Sequence, residues 1–98
     1  MEKSKGGAVI GLAWYSSQQW EQLRSLSADP DQLEETWEDW RDLAESKIEE
    51  LRRLGLEVEK VAVDVDRLAK WCEEEGRLVD GASRSAYAAE MLRLRHEP

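Results

Sequence analysis

Between Asp29 and Leu54 the sequence DPDQLEETWEDWRDLAESKIEELRRL places Leu33, Trp37, Trp40, Ala44, Ile48 and Leu51 at steps of three and four. That rhythm marks one face of an amphipathic helix. A second stripe, Asp31, Glu35, Glu38, Asp42, Glu45 and Glu49, keeps the same rhythm two residues out of phase, roughly 200° around a helix. One side is therefore apolar and aromatic, and the other is a strip of carboxylates. The ends agree with a helix. Asp29 suits the N-cap, Pro30 the first helical position, and Gln32 the third position of a capping box. Lys47, Arg52 and Arg53 gather toward the C-terminal end, where the macrodipole favours cations, and Gly55 supplies a stop. The sequence thus predicts one long helix over Asp29–Leu54.

This segment also carries the charge of the whole chain. Ten acids and two bases between Asp29 and Glu50 account for the net −8 of all 98 residues. The strip offers a face for a basic protein partner, although a run of charge is most often a solvated surface. Carboxylates spread along an outer face diverge, whereas a metal ion needs oxygens that converge, so no metal site is expected. With a pI near 4.7, the chain is a poor candidate for nucleic acid, where phosphate neutralisation dominates affinity. A weaker nucleic-acid reading rests on Arg84, Arg93 and Arg95 in the last predicted helix.

Ala8–Tyr15, AVIGLAWY, is nearly all apolar and too short for a helix, which predicts a strand buried on both faces. Gly11 within it suggests close approach of another backbone. Lys3 and Lys5 precede this run, but eight residues ending in Trp-Tyr do not make a secretory leader. Met1–Gly7 reads as a flexible N-terminus. A short helix follows from Ser16, with Ser16 and Gln19 as a capping box. Beyond Gly55, LEVEKVAVDV is rich in β-branched residues and predicts a second strand. Asp64 or Asp66 caps a third helix that stops at Gly76. Asp80 or Ser83 caps a fourth.

The expected fold class is α/β: a single β-α-α-β-α-α domain of two strands covered by helices on one face. The strands are parallel if the short helix is only a corner, and antiparallel if the first two helices form a hairpin. Two strands make a poor sheet alone. The sheet is therefore expected to be completed in a homodimer, edge to edge or face to face, with Trp14, Trp20, Trp37 and Trp40 at the interface. No apolar run approaches the length of a membrane span. One cysteine, Cys72, fits a reducing cytoplasm, and its acidic neighbours disfavour a thiolate.

Catalytic signatures are missing. Asp29-x-Asp31 and Asp64-x-Asp66 lack the oxygen ligand and glycine that an EF-hand requires next. The glycines do not form a phosphate cradle, and His96, the only histidine, lies at a chain end. No cofactor is implied. The polar groups best placed for a small ligand are Ser16 and Ser17, after the first strand, and Asp64 and Asp66, after the second, where α/β sheets place ligands. Helix capping explains all four as well. A strand ending Ala13-Trp14-Tyr15, followed by Gln19-Trp20 in the next helix, resembles a family of small uncharacterised bacterial proteins. The resemblance implies a bacterial origin and an α/β fold and adds no site. The favoured function is a non-enzymatic interaction or oligomerisation module. The alternative is a ligand-binding or enzymatic domain with a polar site at the strand ends.

Overall fold

A computed structural model describes residues 9–97; the Met1–Gly7 segment lies outside them. The described elements are β1 (Val9–Trp14), α1 (Trp20–Leu26), α2 (Trp37–Arg53), β2 (Glu57–Ala62), α3 (Val65–Glu74) and α4 (Gly81–Arg95). Single 3₁₀ turns at Ser17–Gln19 and Pro30–Gln32 precede α1 and α2. The architecture is mixed α/β, with four helices and a two-stranded parallel sheet among the described residues.

The strands are parallel because α1 and α2 together carry the chain back to the foot of the sheet before β2 begins. Val9 pairs with Glu57, Leu12 with Lys60 and Trp14 with Ala62. Paired residues share a face, so the helices can be assigned to faces from their contacts. Gly11, Ala13 and Val61 point to α4, where Ala88 and Leu92 are buried against them. Trp14, Val58 and Lys60 point to α2: Trp14 meets Trp40, and Lys60 reaches Glu45. Helices therefore cover both faces, not the single face that the sequence predicted.

Close approach at Gly11 explains how α4 seats on β1. A Cβ at this position would stand 3.1 Å from Leu92 Cδ2 and 3.2 Å from the Ala88 carbonyl oxygen. The oxygen belongs to a helix backbone and cannot swing aside. Gly11→Val should therefore lower stability by about 1–3 kcal/mol through overpacking. The check is a lower denaturant midpoint with an unchanged slope.

The larger part of the core lies at the C-terminal ends of the strands. Tyr15, Trp20, Leu23, Val63, Val65, Leu68, Cys72 and Tyr87 form one buried cluster there, shared by α1, α3 and α4. Asp64 caps α3 by accepting from the Asp66 and Arg67 amides, and Asp80 caps α4 by accepting from Ser83. Gly55 and Gly76 take the left-handed conformation, φ +88° and +69°, after α2 and α3.

The long helix starts later than expected. Thr36 is the N-cap of α2, its hydroxyl accepting from the Asp39 amide. The Asp29-Pro30 signature opens only one 3₁₀ turn, after which Leu33 is extended. Distant partners account for this. The Asp29 carboxylate is held by Arg84 and the Gly81 amide and makes no cap bond, and the Glu34 carbonyl accepts from the Trp20 indole instead of from a helical amide.

Candidate functional site

The strand-end groups named from the sequence are brought to one end of the sheet, and the chain's own side chains occupy them. Gln19 is the organiser. Its amide donates to Ser16 Oγ at 3.0 Å and to the Val63 carbonyl at 3.2 Å, and its Oε1 accepts from the Val65 amide at 2.6 Å. The Ser16–Gln19 capping box is thus replaced: no side-chain cap bond forms, and Gln19 ties β1's exit to the start of α3. Asp64 is spent on capping, and Asp66 accepts from Gln22 at 2.5 Å. Ser17 stands apart, beside Trp37 and Thr36 in a shallow pocket that includes Glu21, Glu35 and Glu38. Sequence reading missed Gln19's role, because its long-range bonds leave no mark on local spacing.

The tryptophans turn toward one another inside the chain. Trp40 sits at their centre, 4.8 Å from Trp14, 5.3 Å from Tyr15 and 5.2 Å from Trp20 between ring centroids. Trp20 is 2% exposed, so it offers no surface to a partner. Trp14, Trp37 and Trp40 remain half-buried. Lys60 Nζ lies 4.0 Å over the Trp14 ring and covers its outer side. Desolvation in this cluster pushes the Tyr15 phenol up to about 12.

Arg84, expected at a basic surface, is instead buried against Asp29. Its two terminal nitrogens donate to the two Asp29 oxygens at 2.8 and 2.9 Å, and Nη1 also reaches Ser27 Oγ at 3.1 Å. The hydrogen bonds from Arg84 hold the Asp29 carboxyl below its ordinary range. This fork fastens the α1–α2 connection to the start of α4. Burial raises the Cys72 thiol, which keeps it protonated at neutral pH.

The two edges of the sheet differ. Trp14's carbonyl accepts from Val63, so along β1 the even-numbered residues bond to β2 and the odd-numbered residues point away. By the same alternation, the carbonyls of Val58 and Lys60 point outward from β2. Arg52 donates to the first at 3.1 Å and Arg95 to the second at 3.4 Å, so two guanidiniums place positive charge on that edge and occupy its outward carbonyls. On the β1 side the Tyr15 carbonyl accepts from the Trp37 indole. Below it, among the described residues, the outward amides and carbonyls of Gly11 and Ala13 have no hydrogen-bond partner. They lie in a groove of about 220 Å³ between Leu33 and Trp40 on one side and Gly81, Arg84 and Ser85 on the other. All six residues of β1 are only half-buried, although the strand is entirely apolar.

Among the described residues no group of three or more His, Cys, Asp and Glu side chains could hold a metal ion. No described helix is long and apolar enough to cross a membrane. Comparisons with protein-family models, curated proteins and solved structures find no match to the chain.

Proposed function

We propose that this chain is a protein-interaction module that takes up an extended partner segment along the free edge of β1. The observation that carries this reading is the contrast between the edges: Arg52 and Arg95 bring charge onto the outward carbonyls of β2, while among the described residues Gly11 and Ala13 have no partner and face a groove walled on one side by Leu33 and Trp40. Sheets are ordinarily protected against strand addition by charge, proline or cover. An apolar edge without such protection is suited to strand addition, in which main-chain bonds supply affinity and side pockets supply selectivity. At the strand ends, capping and the Gln19 bridge already employ Ser16, Asp64 and Asp66.

A peptide with the sequence of residues 7–15 serves as an extended apolar probe. Added to isotopically labelled protein, it should shift the Gly11 and Ala13 amide resonances and slow their exchange with solvent. In Ala13→Pro the outward amide is gone while no bond to β2 is lost, so the fold should persist and the response disappear. Equal shifts of the Gly11 amide in wild type and Ala13→Pro would overturn the reading.

A further inference from the structure

We infer that the segment taken up at this edge is a linear one with basic ends, in which bulky apolar residues alternate with small ones. The inference rests on the strand-docking reading and names its partner. The two helices that cover the sheet do not sit over the same strand. α4 lies over β1, where a Cβ at Gly11 would stand 3.2 Å from the Ala88 carbonyl oxygen. α2 lies over β2, where Lys60 reaches Glu45 and the Val58 carbonyl accepts from Arg52. Ladder partners record the offset. Val58 is 6% exposed, whereas Ile10, paired with it on the same face, is only half-buried.

A segment docked on β1 therefore meets different walls on its two faces. It would lie about 5 Å outside β1, beneath the flank of α4, since a helix with its side chains is roughly 10–12 Å across. Its residues opposite Gly11 and Ala13 share their face and point at that helix. The flank they meet carries Ser85 and, one turn on, Ala89, both small and exposed. Only small residues fit between. Residues opposite Leu12 turn the other way, where α2 stands a strand farther off and Leu12, Leu33 and Trp40 form an apolar ledge. Bulky apolar side chains suit that face. The residue 7–15 probe obeys the rule, with Val9, Gly11 and Ala13 alternating with Ile10, Leu12 and Trp14. A second folded copy joined antiparallel through β1 does not: its α4 would stand about 5 Å from this one, whereas helices pack at about 8–10 Å. The partner is thus a segment with no helix over its small side.

Charge selects the ends. From Asp29 to Trp40 the chain holds six acids and no base. Arg84 neutralises the first, and Arg41, the next base along, pairs with Asp42. This connection walls the groove through Leu33, and Trp37 closes its end by donating to the Tyr15 carbonyl. A segment leaving the groove past Tyr15 runs into the remaining carboxylates. Lysine or arginine is favoured there, and acidic residues are repelled.

Peptides built on residues 7–15, titrated at low salt against labelled protein and read at the protein's Gly11 amide, test the inference. One carries a pair of lysines at each end and a second a pair of glutamates at each end. A third keeps the lysine ends and has Gly11→Leu and Ala13→Leu within the peptide. The lysine-ended peptide should bind about tenfold more tightly than the glutamate-ended one, and added salt should narrow that gap. The leucine-filled peptide should bind at least about tenfold more weakly than its lysine-ended parent, because its small side is overfilled. In the protein, Ser85→Leu should weaken the lysine-ended peptide about as much, with an unchanged urea midpoint. Leucine-filled and parent peptides that bind alike, or lysine and glutamate ends that bind alike, would overturn the inference; strand docking would stand, because the Gly11 amide still reports a bound segment. If no peptide moves that amide, both readings fall.

Discussion

Trp20→Ala should remove about 3–5 kcal/mol of stability, the range for emptying a buried aromatic site. Total stabilities of such domains are only about 5–15 kcal/mol, so this variant should sit near the unfolding threshold. The magnitude follows from what the ring touches. It is 2% exposed, stacked on Trp40 at 5.2 Å, and donates through its indole to the Glu34 carbonyl at 3.0 Å. Its loss leaves a cavity between α1 and α2 and frees the segment that holds off the start of α2. Urea unfolding gives the number. Leu78→Ala, at a side chain 69% exposed, supplies the contrast and should change stability by less than about 0.5 kcal/mol. A Trp20→Ala protein as stable as Leu78→Ala would show that the aromatic cluster is not the core.

Arg84→Met should cost roughly 2–3 kcal/mol. Breaking a buried ion pair typically costs somewhat more, because one charge is left unpaired. The lower figure applies here because Asp29 keeps 22% of its side chain exposed, so water partly screens what remains. The pH dependence follows from the carboxyl. Asp29 has a lower pKa in the folded chain than in the unfolded one. Its contribution is complete above the unfolded value of about 3.9 and is lost as pH falls through the folded value. The gap between wild type and Arg84→Met should therefore be widest at neutral pH and narrow below about pH 4. A gap that is constant from pH 7 to pH 3 would assign the loss to packing of the arginine stem instead.

The contrast between these two sites shows what local sequence could reveal. Periodicity located the elements other than the start of α2, the stops Gly55 and Gly76 were visible, and the caps were narrowed to Asp64 or Asp66 and to Asp80 or Ser83, of which Asp64 and Asp80 serve, because such chemistry is local. Gly11's need for a bare backbone was legible for the same reason. The start of α2 was not. Asp29-Pro30-Asp31-Gln32 carries a helix-opening signature, but Arg84, 55 residues away, claims the Asp29 carboxylate. A partner at that separation leaves no trace in spacing. Gln19 was misjudged likewise, since its bonds to Val63 and Val65 cross the whole α1–α2–β2 excursion. The tryptophans read as sticky surface because indoles favour boundaries. The fold instead folds them onto one another and satisfies Trp20 and Trp37 with backbone carbonyls. The apolar character of β1 was plain, yet its half-burial follows from the topology: both faces have helices, and among the described residues no strand pairs with its outer edge.

That edge can be interrogated one amide at a time. Hydrogen exchange at Gly11 and Ala13 should be fast in the protein alone and slow once the residue 7–15 peptide is bound. The even-numbered amides of β1, bonded to β2, should stay protected throughout. Exchange at Gly11 and Ala13 that is equally fast with the residue 7–15 peptide present or absent would contradict the account.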